Sequence, residues 1–394
     1  MSLLNGFGLF EGRKTTLIFD VGTSSVGGAI ARYNEPLPRL MFHTRWRGGL
    51  NDYPDFERYF GHTLNGIGEV ARTLIKNKDF ERPKRLVCFL PSILYFSEIR
   101  TAKITYPEPK EITPKLVEDV ITKEVEAFQK ETLFRKDIPE GMPVLLEKKL
   151  VNIRLNGYQT PEPYGKKACE VSVSLFLSYT PDTILKKIQH RIQQFVHTEK
   201  IEFYGAIQAL YELIEYHFKE QKHYILYNLT GEITELLIVR DGKLSQIVTY
   251  PFGKKTLIRK LKDALKVSHA EAETLLRLYL TGAISRTERP RVKEALDMVR
   301  KEWKVNLSLV LDRIAGHMHL PGLIFLANGG SYSDLFKNWL VQERRELLLP
   351  EASVRVSILK EELLARNFYT SSRDYADDSM LAFETIFINE HFMR

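Results

Sequence analysis

The chain has 394 residues, of which 44% are hydrophobic and 27% charged. This balance is typical of a soluble globular protein and excludes disorder over most of the chain, and the length predicts two or more domains. The net charge of +7 favours anionic partners, but no compact basic patch with interleaved aromatic residues supports nucleic-acid binding, so we expect no nucleic-acid partner. Cys88 and Cys169 show no zinc-site spacing and suggest no disulfide framework, which fits a reducing cytoplasm.

The first part of the sequence predicts a small sheet and a helix. Residues 15–21 (TTLIFDV) are typical of a buried strand, and 26–33 and 39–44 continue as an antiparallel meander. Residues 63–76 have helical spacing, and 85–90 (RLVCFL) form another short buried strand before a proline. The predicted order is strand, strand, strand, helix, strand.

The middle of the chain has a different pattern. Residues 113–131 form an amphipathic helix that Thr113 can cap, with Pro114 at its first turn. Two strands (143–155, 168–179) and a helix (181–195) follow. We expect residues 92–200 to form an inserted subdomain.

The first pattern returns after residue 200. The sequence predicts a helix over 205–219, strands over 223–229, 234–240 and 243–250, helices over 254–266, 269–280 and 288–315, a strand over 322–326 and a helix over 332–341. Asp241–Gly242 is a strong hairpin signal. The expected domains are therefore 1–91, the insert 92–200, and a related second half 201–394, whose C-terminal helix returns to the first half.

Three glycine-rich turns follow apolar strands. They are Asp20-Val21-Gly22-Thr23-Ser24-Ser25, the turn 228–235 (NLTGEITE) and Ala327-Asn328-Gly329-Gly330-Ser331. Such turns present backbone N–H groups and hydroxyls to an anion, and glycine lets a phosphate approach the backbone. An acidic residue at a strand end can hold a metal-bound water, and the helix after the third turn favours anions or ribose hydroxyls at its N-terminus.

In this order the turns resemble the phosphate-1, phosphate-2 and adenosine motifs of the actin/Hsp70/sugar-kinase superfamily. Within it, the chain resembles the FtsA/PilM family. LIFDVGTSSVGGAIARY resembles the first phosphate loop, LYNLTGEITELLIVRDGKLSQIVTYPFGKKTL the second, and LIFLANGGS the adenosine loop. VNIRLNGYQTPEPYGKKACEVSVSLFLS resembles the SHS2-type insert of FtsA. The resemblance implies an α/β fold of the actin/Hsp70 (ribonuclease H-like) type, with duplicated halves and this inserted subdomain.

The resemblance also implies a cofactor, ATP or ADP with Mg²⁺, and a role for each matching position. Asp20 would orient the metal ion, and Glu273 and Arg277 would approach the ribose and base. The phosphates and the adenosine would be held by Gly22, Thr23, Ser24, Ser25, Gly231, Thr234, Gly329, Gly330 and Ser331.

Three positions depart from the family pattern. Asn228 replaces an acidic residue, Thr230 replaces a glycine, and Leu276 replaces a lysine expected three residues after Glu273. An amide holds a divalent cation less well than a carboxylate does. We therefore expect nucleotide binding with weak ATP hydrolysis or none, and no catalytic residue is assigned.

The resemblance implies a scaffold at the inner face of the cell membrane. The first interpretation is an FtsA-like protein that self-associates and links an FtsZ-like cell-division ring to the membrane. The alternative is a PilM-like protein of type IV pilus assembly, which would bind the cytoplasmic tail of a PilN-like protein. A small-molecule kinase of the same fold is a third possibility.

The N-terminal segment offers one route to the membrane. MSLLNGFGLF crowds large apolar residues directly before Arg13 and Lys14, and could lie in a membrane interface or pack on the domain as a flap. No apolar run reaches the roughly 18 residues that a membrane span needs. We therefore expect a cytoplasmic protein for which peripheral membrane contact is an open alternative.

Overall fold

The computed structural model describes residues 15–33, 38–48, 55–133, 140–198, 200–315, 320–343, 354–360, 363 and 378–392. The apolar N-terminal segment, on which the membrane hypothesis depends, lies outside the described residues.

The first sheet has five strands. They are β1 (Thr15–Val21), β2 (Ser25–Arg32), β3 (Arg39–Arg47), β4 (Arg85–Leu90) and β9 (Glu202–Gly205), in the spatial order β3-β2-β1-β4-β9. The strands β1, β2 and β3 form an antiparallel meander, whereas β4 runs parallel to β1 and β9 runs parallel to β4. The prediction placed the helix after β3 at 63–76, but α1 (Phe56–Ile75) begins earlier because the Asp55 side chain caps it by accepting from the Arg58 N–H.

The second sheet repeats this order and polarity. Its strands are β10 (Tyr224–Leu229), β11 (Thr234–Arg240), β12 (Lys243–Tyr250), β13 (Leu323–Ala327) and β14 (Arg355–Ile358), in the order β12-β11-β10-β13-β14. The meander β10-β11-β12 is antiparallel, and β13 and β14 run parallel to β10. The hairpin predicted at Asp241–Gly242 is confirmed, with φ of 52° and 70° at these residues.

The third sheet lies in the sequence between β4 and β9 of the first sheet. It contains β5 (Phe96–Glu111), β6 (Pro143–Leu155), β7 (Tyr158–Gln159) and β8 (Lys167–Pro181), in the order β5-β8-β6-β7, with every pair antiparallel. The helix α2 (Pro114–Thr132), predicted over 113–131, packs on this sheet, and Thr113 caps it as expected. The edge strand β5 was not predicted.

The remaining helices complete a layered core. They are α3 (Asp182–Gln193), α4 (Ala206–His217), α5 (Lys254–Leu265), α6 (His269–Leu280), α7 (Glu288–Ala315), α8 (Ser333–Gln342) and α9 (Ser379–Phe392). The helices α4 and α9 fill the space between the first two sheets. The outer face of the first sheet is covered by α1 and α3, and that of the second by α5 to α8.

Burial on both faces explains why the central strands are continuous apolar runs. The carboxyl ends of β1, β4, β10 and β13 meet at one edge of this stack, which is where open α/β sheets bind ligands. Among the helices that the structure describes, none has the length and apolar character that crossing a bilayer requires.

A candidate nucleotide cleft between two glycine turns

A cleft of about 310 Å³ opens where the carboxyl ends of the two sheets face each other. Most of the predicted site residues line it: Asp20, Gly22, Thr23, Ser24, Ser25, Gly231, Glu273, Gly329, Gly330 and Ser331. Residues distant in the sequence are thus brought together from both halves and from all three glycine turns. The volume lies at the small end of the range typical of ligand pockets.

Two predicted residues lie outside the cleft lining. Thr234 is completely buried, and its hydroxyl donates to the Phe252 carbonyl at 2.6 Å. Arg277 is exposed in the last turn of α6. Thr234 therefore anchors the start of β11, and Arg277 does not reach the cleft in this conformation.

The first and second turns touch each other across the cleft. The hydroxyls of Thr23 and Thr230 lie 3.0 Å apart, and the Glu232 N–H donates to Thr23 Oγ1 at 2.9 Å. A Cβ on Gly231 would collide with the Ser24 side chain. This position therefore requires glycine because the two halves meet there.

The second turn is fixed from behind by α5. The backbone N–H groups of Lys254 and Lys255 donate to the carbonyls of Thr230 (3.0 Å) and Gly231 (2.7 Å). The buried Arg259 side chain forms an ion pair with Glu232. These contacts bring Lys254 and Lys255 to the cleft wall.

Arg45 is the main residue of the site that sequence reasoning missed. It lies on β3 opposite Gly27 of β2, which in turn lies opposite Asp20 of β1. Its guanidinium donates to Asp20 Oδ2 at 2.5 Å, to Asp378 Oδ2 at 2.5 Å and to Ser25 Oγ at 3.0 Å. Burial disfavours its charge, but Asp20 and Asp378 together raise the pKa of Arg45 above its usual value.

Lys254 is a second cation near this cluster. Its Nζ donates to the Asn328 carbonyl at 2.7 Å. Burial, followed by repulsion from Arg45, lowers the pKa of Lys254 to about 8, although Asp20 and Asp378 oppose the shift. An anion in the cleft would reverse this shift by favouring the charged ammonium.

The end of β10 carries an amide, and its neighbour on β11 carries a carboxylate. Asn228 Nδ2 donates to Glu235 Oε2 at 2.5 Å, and the Ser92 N–H donates to Glu235 Oε1 at 3.2 Å. Glu235 is 1% exposed, and burial raises its pKa, although these donors oppose the shift. Glu235 therefore places a carboxyl group at the same cleft, directly opposite Asn228 on the neighbouring strand.

The third turn has the backbone conformation that its sequence suggests. Asn328 and Gly330 both have φ of 56°, the left-handed region that favours asparagine and glycine. Tyr332, which also lines the cleft, follows directly, and burial raises its pKa to about 12. Glu273 of α6 lines the same region, whereas Leu276 is buried in the core behind it.

These residues fit the phosphates of a nucleotide better than they fit a magnesium ion. Arg45, Arg47, Lys254 and Lys255 all line the cleft, and the glycine turns let an anion approach the backbone. For the metal, the Asp20 carboxylate already bonds the Arg45 guanidinium. Within the described ranges, no group of three or more His, Cys, Asp or Glu residues could hold a metal ion. A metal ion oriented by Asp20, as expected from the sequence, would have to share that carboxylate with Arg45.

Comparison with known proteins supports the fold. No protein-family model matches the sequence, and no curated protein is similar enough in sequence to match it. A solved PilM–PilN type IV pilus biogenesis complex contains a chain with a TM-score of 0.60 and 14% identity, covering 95% of this chain and 99% of that one. A Bacteroides thetaiotaomicron protein with an actin-like ATPase fold and unknown function has a TM-score of 0.42 and 10% identity, with coverage of 97% and 99%.

The ethanolamine utilization protein EutJ from Carboxydothermus hydrogenoformans has a TM-score of 0.45 and 11% identity, with coverage of 89% and 86%. The TM-scores of the Bacteroides thetaiotaomicron protein and of EutJ are too low to support an argument about the fold. The repeated five-stranded sheets and the similarity to the chain of the PilM–PilN complex show that this protein has the actin-like ATPase fold, a mixed α/β fold with two ribonuclease H-like sheets and an additional antiparallel sheet.

Proposed function

We propose that this protein is a nucleotide-binding scaffold of the PilM type, which binds a PilN-like partner in type IV pilus assembly. The observation that carries the proposal is the similarity to a chain of the PilM–PilN complex over 95% of this chain and 99% of that one. It supports the pilus-assembly alternative more than the FtsA-like interpretation, because the similar chain comes from a PilM–PilN complex. A cytoplasmic location at the membrane and the three-part division 1–91, 92–200 and 201–394 belong to the same proposal.

The cleft supports the nucleotide part of this function. It joins the two halves through the first and second turns, so a ligand there would contact both and bias their relative position. Slow ATP hydrolysis or none is part of the proposal, since Asn228 stands where a carboxylate is usual. Brisk phosphate release by the purified chain would contradict it.

The third sheet supports the partner-binding part. Several of its large apolar side chains are exposed, among them Val144, Leu145, Leu150 and Tyr158. Of these, Leu150 lines a groove between α2 and β6, whose floor is formed by the buried Val117, Ile121 and Leu175 and whose wall carries Lys115, Lys148 and Glu118. Clustered exposed apolar residues with a charged rim are typical of protein-binding surfaces. We propose this groove as the site of the partner peptide.

Calorimetry with two peptides tests the proposal. One peptide is the cytoplasmic segment of the PilN-like protein of the same organism, and the other is the C-terminal segment of its FtsZ. We expect binding of the first and none of the second. Leu150→Glu in the groove should weaken binding at least tenfold, whereas Leu309→Glu on α7, where the side chain is 56% exposed, should not. Binding of the FtsZ segment alone would overturn the pilus-assembly proposal.

A further inference from the structure

The charge arrangement around Asp20 bears on whether the cleft needs a divalent cation. A row of register partners on one face of the first sheet, Asp20, Gly27 and Arg45, runs across three neighbouring strands. An added Cβ on Gly27 would lie 2.6 Å from Arg45 Nη2. Gly27 therefore leaves open the path along which the Arg45 side chain crosses β2 to reach Asp20.

The guanidinium sits between two buried carboxylates. The side chains of Asp20 and Asp378 are 5% and 8% exposed, and that of Arg45 is 15% exposed. Asp378 Oδ1 also accepts from Arg45 Nη2 at 2.8 Å, so Arg45 bonds both oxygens of this carboxylate. Such a bidentate pair is a strong, geometrically fixed interaction.

The Arg45 guanidinium occupies the place beside Asp20 that a divalent cation would need. A magnesium ion held through Asp20 would compete with Arg45 for the same carboxylate and would be repelled by its charge. Glu235, another carboxyl group on the cleft wall, is a poor replacement for Asp20 as a metal ligand, because it already accepts hydrogen bonds from Asn228 and the Ser92 N–H. Arg45 instead supplies a permanent positive charge, because arginine does not lose its proton in proteins.

We propose that this cleft binds a nucleoside di- or triphosphate in its metal-free form, with Arg45 in place of the divalent cation. Arg45 offsets one of the two negative charges of Asp20 and Asp378 and so weakens their repulsion of the phosphates. Lys254, Lys255 and Arg47 on the cleft wall add further cationic groups for the phosphates to meet. This inference rests on the proposed nucleotide cleft and specifies the form of its ligand.

Calorimetric titration of the full chain with ADP, in 5 mM EDTA and in 5 mM MgCl2, tests it. The affinity in EDTA should equal or exceed that in magnesium, because free ADP carries more negative charge than its magnesium complex. An affinity at least tenfold weaker in EDTA would overturn the inference while leaving the nucleotide cleft standing. Binding in neither condition would overturn both the inference and the proposed nucleotide cleft.

Two variants sharpen the test. Arg45→Met exposes Asp20 and Asp378 to the phosphates, so binding should weaken at least tenfold in EDTA and recover at least partly in MgCl2. Arg47→Met removes a cleft cation that pairs neither carboxylate, so it should weaken binding to a similar degree in both conditions. Equal losses in both conditions for Arg45→Met would contradict the inference.

Arg45→Lys serves where Arg45→Met does not fold, as judged by circular dichroism and thermal melting. Lysine keeps one charge but cannot bond both aspartates in the same bidentate way. We expect Arg45→Lys to weaken binding in EDTA by a few fold and to regain part of the loss in MgCl2. No response of this variant to magnesium would also count against the inference.

Discussion

The two sheets have the same topology, but equivalent rows at the cleft carry different charges. In the first sheet the row is Asp20, Gly27 and Arg45; in the second it is Asn228, Glu235 and Thr249. Asp20 and Asn228 are equivalent because each pairs with the last register position on its parallel neighbour, β4 or β13.

The two rows solve the problem of a buried carboxylate in different ways. In the first row a cation from the third strand pairs with Asp20 and Asp378; burial opposes the charge of Asp378, but Arg45 lowers its pKa below the usual value. In the second row the donors to Glu235 within the described part of the chain are neutral, Asn228 and the Ser92 N–H, and burial raises the pKa of Glu235. The apolar strand pattern sets the shared topology, whereas a few polar residues at the strand ends set the chemistry.

The largest expected difference between the rows is in the stability lost when one ionisable side chain is removed from each. Arg45→Met leaves Asp20 and Asp378 buried without their cation, which should lower the free energy of unfolding by ~3–5 kcal/mol. Glu235→Gln replaces a buried carboxyl group whose donors are neutral by an amide of similar size, and should change the free energy of unfolding by less than about 1 kcal/mol. Urea denaturation at pH 7.5 measures both variants. Equal losses in the free energy of unfolding would contradict the expected difference between the two rows.

Gly27 is expected to have the next largest effect. A Cβ at this position meets Arg45 Nη2 at 2.6 Å, so Gly27→Ala must displace the guanidinium from Asp20. We expect a loss of ~1–3 kcal/mol in the free energy of unfolding. Gly61→Ala on α1, where an added Cβ has open space, is the matched control and should not destabilise the protein. A Gly27→Ala variant as stable as the wild type would mean that Arg45 does not depend on the space that Gly27 leaves over β2.

Asn228→Asp places an aspartate in the second row at the position equivalent to Asp20, but the third strand has Thr249 there rather than an arginine to pair with it. The new carboxylate lies against Glu235, whose oxygen is 2.5 Å from the present amide nitrogen. Repulsion raises the pKa of one member of such a pair, so the folded state binds more protons than the unfolded state near neutral pH. Stability should therefore fall as the pH rises from 6 to 8, by ~1–2 kcal/mol relative to wild type.

Magnesium provides a second measurement on Asn228→Asp. A divalent cation can neutralise the new carboxylate pair, so the melting temperature should rise with MgCl2 in this variant and not in wild type. Asn228→Ala controls for the lost hydrogen bond. Identical pH and magnesium responses of Asn228→Asp and Asn228→Ala would contradict the expected carboxylate pair.

Lys254 should make ADP binding depend on pH, and this effect should be smaller than those described above. Burial and Arg45 lower its pKa to about 8 despite Asp20 and Asp378, so it loses its charge as the pH rises through 8 in the free protein. Phosphates favour the charged form, and ADP binding should therefore take up a proton and weaken by up to about tenfold between pH 7 and 9.5. Calorimetry at pH 8.5 in two buffers measures the uptake. Lys254→Met should abolish it, and unchanged uptake in that variant would assign it to another group.

Much of the fold could be predicted because the central strands are buried on both faces. TTLIFDV and YILYNL are rich in apolar and aromatic residues, and the structure buries every residue of both. The long edge strand β5 was missed because its second half is polar and exposed, with Pro107 and Pro109 within it. The short strands β9 and β14, of four residues each, carry too little pattern to be distinguished from loops.

The glycine turns could be located from the sequence, but the charges that complete the site could not. Arg45 and Asp378 are 333 residues apart, so their ion pair depends on where α9 packs. Glu235 could have been found, because it lies directly opposite Asn228 once the tight turn fixes the register of β10 and β11. Arg45 requires the register of a third strand as well as a glycine between the two partners.

Hydrogen–deuterium exchange with and without ADP tests most directly the central claim, which is that one nucleotide bridges both halves. The account predicts slower exchange at residues 20–25, 229–234 and 328–332 together, since all three turns line one cleft. Protection should be the same in EDTA as in magnesium and weaker in Arg45→Met. Unchanged exchange at all three turns under saturating ADP, or protection confined to one half, would contradict it.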